Sequence, residues 1–495
     1  MTERSIGPLI PRNKHLFYGS VLLMSIVHPT IMGYDSMMVG SILNLDAYVN
    51  YFHLTAATTG LNTAAVWLGQ VIATLTVISY FNDKFGRRSS VCISIAISLV
   101  GVALQSAAQN IEMFIIGRIV IGFGISIGFV SSTILVSELA PPDKRGFILG
   151  LSFTSFLVGS LIAAGVTYGT RNAPGDWCWR IPSIIQGAPD IVAIINILFI
   201  SESPRWLIAK ERFSEAREII SIISDVPIED AHEECEKIHA HIQTEKTAFP
   251  GNKWKQMVSS KSNTRRVIIL FTQAIVTEMA GSSVGSYYFS IILTQAGVKD
   301  SNDRLRVNIV MSSWSLVIAL SGCLMFDRIG RKMQSLISLS GMIICFIVLG
   351  VLVKEYGDGH SKSGSYAAVA MMFLFTGFYS FTFTPLNSLY PPELFPYVLR
   401  STGVTLFNIF NGCWGLFASF ILPIAMNGIG WKFYIINACY DVIFLPIIMF
   451  CWIETKGINL DTISEVLHGR GPEDEESIEE SHSLIRQGFV VNTKK

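Results

Sequence analysis

Apolar residues run through this chain in long blocks, and polar residues fall between them. Twelve blocks stand out, at about 17–43, 58–81, 89–109, 111–138, 147–169, 180–200, 266–294, 305–326, 333–353, 367–390, 401–426 and 431–453. A helix of about 20 apolar residues crosses a bilayer core. In lipid, only helices and closed barrels satisfy their own backbone, and no strand-like alternation supports a barrel. The pattern therefore predicts an all-α polytopic membrane protein with twelve transmembrane spans, numbered here in chain order. Two stretches break the rhythm. Residues 201–265 are charged, and KERFSEAREIISIIS (210–224) has the spacing of an amphipathic helix. It reads equally as a solvated connector or as a regulatory element. The chain from 457 on holds the acidic run EDEESIEE (473–480), which reads as a disordered tail.

The polar islands repeat. DKFGRR (83–88) follows span 2 and DRIGRK (327–332) follows span 8, an offset of 327 − 83 = 244. ELAPPDKR (138–145) follows span 4 and ELFPYVLR (393–400) follows span 10, offset by 393 − 138 = 255. ESPR (202–205) closes span 6 and ETKG (454–457) closes span 12, offset by 454 − 202 = 252. Three charged motifs in the same order at nearly one offset imply two six-span halves in parallel repeat, the plan of transporters whose halves rock against each other. The chain divides into an N-terminal half (1–200), a cytoplasmic linker with amphipathic helices (201–265), a C-terminal half (266–456) and the acidic tail (457–495).

Composition agrees with a membrane assignment. Charged residues are 15% of the chain, against roughly 25% in soluble domains. Net charge is zero, so nothing points to nucleic acid. The eight cysteines are scattered, with no C-x-x-C or Cys/His cluster, so neither a metal site, a cofactor nor a disulfide framework is expected. The first apolar run is too long for a secretory h-region and reads as span 1. In the first half, Lys84, Arg87, Arg88, Lys144 and Arg145 lie on one side and only Arg171 in the opposite short loops, which places both termini in the cytoplasm.

Four acids fall inside the spans: Asp35, Asp190, Glu278 and Asp441. The well-buried base is Arg118. A charge within the membrane is costly and marks a functional hypothesis by default. Asp35 lies 43 − 35 = 8 residues from the outer end of span 1, and Arg118 lies 118 − 111 = 7 residues into span 4. At 1.5 Å per residue both sit roughly 11–12 Å below the outer boundary, so they can meet. Such a pair is either a proton site or a permanent tie between two helices. Glu278, near the middle of span 7, reads as a substrate ligand, a second proton site or a satisfied buried carboxyl. Asp190 and Asp441, on peripheral spans, read as structural. No nucleophile–base constellation emerges, which weighs against an enzyme.

The motifs GYD (33–35), DKFGRR, GRIVIGFG (117–124), ELAPPDKRG, SESPRWL (201–207), DRIGRK, PPELFP (391–396) and IETKG (453–457) together resemble the sugar porter family of the major facilitator superfamily. VGSLIAAGVTYGT (158–170), WRIPSIIQ (179–186), SYYFSIIL (286–293), TPLNSLYPPEL (384–394) and GWKFYI (430–435) are similar to the fungal lactose permease and cellodextrin transporter subgroup. The resemblance implies the major facilitator fold, with Asp35 and Arg118 as the proton-coupling pair. It implies gating ion pairs among Asp83, Arg87, Arg88, Glu138, Arg145, Glu202 and Arg205, mirrored by Asp327, Arg331, Glu393, Arg400 and Glu454. Sugar hydroxyls want donors and acceptors at fixed angles, and sugar faces want aromatic rings. Substrate-binding candidates are thus Gln186, Glu278, Ser283, Tyr287, Tyr288, Asn387, Asn408, Asn411 and Trp414.

Departures from the family pattern thin this sugar-reading shell. Phe153 replaces an amide, Ser283 an asparagine, and Ser388 and Gly412 tryptophans; Glu278 stands where a glutamine is usual. The resemblance implies a proton-coupled symporter of the plasma membrane, with a sugar such as lactose or cellobiose, the proton and the bilayer as partners. A facilitator without proton coupling and a transporter-like nutrient sensor remain open, as does a bulkier, less polar or acidic substrate.

Overall fold

A computed structural model describes residues 7, 9–141, 145–248, 253–282, 300–356, 362–395 and 397–455. Among the described residues nine helices are long and apolar enough to cross a membrane: Lys14–Ile42, Arg87–Ser106, Ile111–Leu139, Leu151–Thr170, Asn302–Phe326, Arg331–Tyr356, Tyr366–Leu394, Thr402–Met426 and Lys432–Cys451. They correspond to spans 1, 3, 4, 5, 8, 9, 10, 11 and 12. Span 2 is Ala56–Thr76, followed after Val77 by a separate short helix, Ile78–Phe85. Span 6 is broken into Trp177–Ile185 and Ala188–Ile197. Span 7 begins as Lys261–Thr277 and loosens into a π-turn, Glu278–Ser282; its remainder lies outside the described residues. Among the described residues, all or part of each of the twelve expected spans is helical.

The breaks follow from single residues. A proline cannot donate to the carbonyl four residues earlier, and lipid offers no substitute donor. Other side chains supply it. Pro29 frees the carbonyl of Ser25, which accepts from Ser152 Oγ at 2.7 Å. Pro182 frees Cys178, which accepts from Thr170 Oγ1 at 3.2 Å. Pro385 frees Phe381, which accepts from Gln334 Nε2 at 2.9 Å. In span 6, Pro189 at the start of the second piece ends the ladder of the first, and Gln186 and Gly187 form the joint.

Each half has its own interior. One apolar cluster draws only on residues between 257 and 453, another only on residues between 10 and 242. The second includes Leu207, Ile208, Ala216, Ile219, Ile220, Ala231 and Cys235 of the segment between the halves. The amphipathic stretch read from sequence is the helix Phe213–Ser224, and its apolar face packs on the N-terminal half. Tyr18 Oη on span 1 donates to the Ile223 carbonyl at 2.5 Å.

Within the N-terminal half, span 1 crosses span 5 and span 2 crosses span 4. Both crossings need glycine. A Cβ on Gly33 would lie 1.8 Å from the Phe156 carbonyl oxygen, and one on Gly122 would lie 2.1 Å from that of Val66. These approaches bring the Asp35 and Arg118 regions toward the bundle centre. The halves meet where span 2 packs on span 11 and span 5 on spans 8 and 10. At the end where span 1 finishes, hydrogen bonds cross between them. Asn308 Nδ2 donates to Ser41 Oγ at 2.9 Å, Arg171 Nε to Asn302 Oδ1 at 2.9 Å, and Thr63 Oγ1 to the Ser419 carbonyl at 3.2 Å.

Candidate functional site

Asp35 and Arg118, matched only in depth by the sequence, touch. Arg118 Nη1 lies 3.2 Å from Asp35 Oδ1, and Nη2 lies 3.5 Å from Oδ2. Both side chains are sealed, at 1% and 0% exposure. Two further groups complete the pair. Gln186 Nε2 donates to Asp35 Oδ1 at 2.7 Å, and Arg118 Nε donates to the Asn62 carbonyl at 2.8 Å. Behind them, Gln105 Nε2 donates to Gln186 Oε1 at 3.0 Å and Asn62 Nδ2 to Tyr48 Oη at 2.7 Å. The carboxyl group is thus held by a guanidinium and an amide. Such a charged pair survives in an apolar interior only because its hydrogen-bonding groups are supplied in this way. Asn62, Tyr48 and Gln105 carried no signal in the sequence, since amides and tyrosines are common in spans and nothing in their spacing ties them to Asp35.

On either side of Asp35 in span 1, Met32, Ser36 and Met37 line a cavity of about 90 Å³. Residues of spans 1, 2, 5, 7, 8, 10 and 11 line it, so both halves contribute. Of the substrate-binding candidates, Glu278, Asn387 and Asn411 reach this cavity. Glu278 accepts from Asn411 Nδ2 at 3.2 Å through Oε1, while its Oε2 and the Oδ1 atoms of Asn387 and Asn411 have no hydrogen-bond partner among the described residues. Glu278 is placed by the kink of span 7. Gly281 has φ 125°, and a Cβ there would lie 2.3 Å from the Phe375 ring. Tyr440 Oη donates to the Met279 carbonyl at 2.8 Å.

The other candidates sit elsewhere. Gln186 is spent on Asp35. Asn408 Nδ2 bonds back to the Val404 carbonyl of its own helix at 3.0 Å. Trp414 packs edge-on against Phe271 and Phe417. Ser283, Tyr287 and Tyr288 lie outside the described residues, as do the side chains of Asp83, Arg145, Asp327 and Arg400. Phe153 lines the cavity and stacks on Phe156, with ring centroids 6.0 Å apart. Trp67 also lines it, seated against span 11 where a Cβ on Gly415 would fall 2.6 Å from its ring. Asp190 accepts from Ser98 Oγ at 2.8 Å. Asp441 is buried with no hydrogen-bond partner for either oxygen among the described residues.

The repeated charged motifs build the same small cluster twice. Arg87 Nε pairs with Glu138 at 3.4 Å, and Arg331 Nη2 with Glu393 at 2.9 Å. Glu202 accepts the backbone N–H groups of Arg87 and Arg88, and Glu454 those of Arg331 and Lys332. A carboxylate at a helix N-terminus answers both the unpaired amides and the dipole. Glycine is required at both turns: φ is 91° at Gly86 and 97° at Gly330, and a Cβ would strike Glu202 or Glu454. Burial pushes the Glu202 carboxyl above its ordinary range, and the amide hydrogens of Ser203, Arg88 and Arg87 draw it back. Arg88 Nε donates to the Ile197 carbonyl at 3.1 Å, and Arg205 lies on the short helix Pro204–Ala209. The described ion pairs of this group each lie within one half.

A family profile described as "Sugar (and other) transporter" matches residues 21–467. The MFS-type transporter criB of Aspergillus cristatus is 26% identical over 466 residues, covering 94% of this chain and 96% of its own. A high-affinity glucose transporter of Kluyveromyces lactis is 27% identical, covering 88% of this chain and 82% of its own. A probable quinate permease of Aspergillus niger is 25% identical, covering 92% and 89%. Among solved structures, the xylose transporter XylE from E. coli in a partially occluded inward-open conformation superposes with a TM-score of 0.75 at 18% identity, over 90% of this chain and all of that one. A second XylE structure, described as a proton:xylose symporter bound to 6-bromo-6-deoxy-D-glucose, superposes with a TM-score of 0.76 at 19% identity, over 92% of this chain and all of that one. These relatives are transporters, and the chain belongs to the sugar transporter family of the major facilitator superfamily.

Proposed function

We propose that this protein is a proton-coupled symporter that carries a hydroxylated, sugar-sized solute across the plasma membrane by alternating access, with both termini in the cytoplasm. The observation that carries the reading is the sealed Asp35–Arg118 pair, next in span 1 to Ser36 of the cavity wall. A carboxylate so held loosens its hold on the guanidinium when it takes a proton, and the guanidinium keeps the Asn62 carbonyl as its acceptor through Nε. Span 1 then loses its charged tie to span 4 and is free to shift. Deprotonation restores the tie. Proton binding and helix movement are thereby linked, and a solute in the cavity touching span 1 at Ser36 and Met37 feels the same shift.

The hydrogen bonds between the halves at Ser41, Thr63 and Arg171 lie at the end that the charge pattern makes external. They describe the outward-closed member of the cycle. Glu278, Asn387 and Asn411 supply donors and acceptors to hydroxyls, and cargoes named for the relatives, glucose, quinate and xylose, are polyhydroxylated.

The test is solute uptake into proteoliposomes with and without an imposed pH gradient. The symporter accumulates solute only with the gradient, and Asp35→Asn exchanges solute down its own gradient without accumulating it. Undiminished accumulation by Asp35→Asn would remove the coupling role and leave a facilitator.

A further inference from the structure

The surface of the cavity's described wall is mostly apolar. Phe153 and Phe156 present a stacked aromatic face, Trp67 and Phe375 add two more rings, and Met32, Met37 and Met311 add polarizable thioethers. A hydroxyl set against such a surface loses its water and gains no partner. Hydroxyl groups also line the cavity, and those of Ser160, Ser312, Thr376 and Tyr379 donate to backbone carbonyls; the carboxyl and amide groups sit together at Glu278, Asn411 and Asn387. Gln186, which would add an amide, is turned away to Asp35. Glu278 is the charged side chain among the described lining residues, its Oε2 has no hydrogen-bond partner among the described residues, and the residue is 2% exposed. No basic side chain is among those lining residues, so a carboxylate in the cargo would face Glu278 without a counter-charge.

We infer that the cargo is amphipathic: an apolar ring or chain lies against Phe153, Phe156 and Trp67, and a hydrogen-bond-donating end, hydroxyl or ammonium, reaches Glu278 Oε2 and the Asn387 and Asn411 carbonyl oxygens. This deepens the transport reading and rests on it. Aromatic rings and methionines bind apolar bodies of varied shape, and a few convergent polar groups fix the other end. The class includes aryl and alkyl glycosides and aryl amines, which share this chemistry.

The test measures binding to the purified full chain by quenching of tryptophan fluorescence, with phenyl β-glucoside, phenethylamine, glucose, cellobiose and quinate as probes. At least one aromatic probe is expected to bind about tenfold or more tightly than glucose and cellobiose, with quinate weakest. Phe153→Asn should narrow that gap from both sides. Glu278→Gln separates the two donor types by weakening the amine far more than the glucoside if the cargo end is cationic. The inference is overturned if glucose or cellobiose binds as tightly as both aromatic probes, if quinate leads, or if neither aromatic probe binds. Uptake of the bound aromatic probe into proteoliposomes is read separately. Tight binding without gradient-driven uptake would sustain the cargo assignment and reject the transport reading.

Discussion

Asp35 shows how far one residue can be read from sequence. Its place inside an apolar run marked it, and its depth matched Arg118, but depth says nothing about which way a side chain points. The structure adds Gln186, Asn62 and Gln105, whose roles depend on helix rotation. Gln186→Leu is therefore expected to lower gradient-driven accumulation while changing solute affinity by less than about threefold, because its amide serves Asp35 and not the cavity. A loss of affinity larger than the loss of accumulation, in paired binding and uptake assays, would return Gln186 to the substrate. Removing one member of a buried pair strands the other. Arg118→Leu should cost about 3–5 kcal/mol of stability, read by thermal unfolding in detergent, and adding Asp35→Asn should recover part of it. Equal and additive losses would mean that the two groups are not energetically joined.

Elements were legible as blocks and less so at their breaks. Among the described residues the apolar runs appear as helices, whole or in pieces, at nearly the expected places, because length and hydropathy decide a membrane helix. The joint in span 6 at Gln186–Gly187 and the kink in span 7 at Glu278–Ser282 were not foreseen, since apolar periodicity carries no information on backbone rotation. Both breaks put a polar side chain at the bundle interior. The prolines of spans 1, 6 and 10 depend on donors from neighbouring helices. Ser152→Ala leaves the Ser25 carbonyl bare, and a loss of about 0.6–1 kcal/mol is expected. An unchanged melting temperature would show that another donor replaces the hydroxyl. Gly281→Ala faces positive φ and the Phe375 ring together, so it should destabilise by about 1–3 kcal/mol, with Phe375→Leu relieving the clash but not the backbone strain.

At the scale of the whole molecule, the repeated charged motifs were the most informative signal, because the same three-part cluster recurs once in each half. What the repeat could not give is which partners each charge selects. Glu202 and Glu454 take helix amides, a geometry set by the glycine turns at Gly86 and Gly330. The cavity between the halves was legible only in part: Phe153 announced a loss of polarity, but Trp67 and Phe156 had no mark to separate them from packing residues. The rocking motion predicts a simple lock. Ser41→Trp cannot fit against Asn308, so it should hold the outer side open, stopping transport while external solute still binds. Normal turnover by that variant would exclude closure at this contact.

The central claim is that Asp35 carries the proton that moves with the solute. The direct measurement is the external pH of a lightly buffered suspension of proteoliposomes at the moment a transported solute is added. The wild-type chain should alkalinise the medium in proportion to solute entry, and Asp35→Asn should admit solute with no change in pH. Alkalinisation of equal size in both would contradict the account.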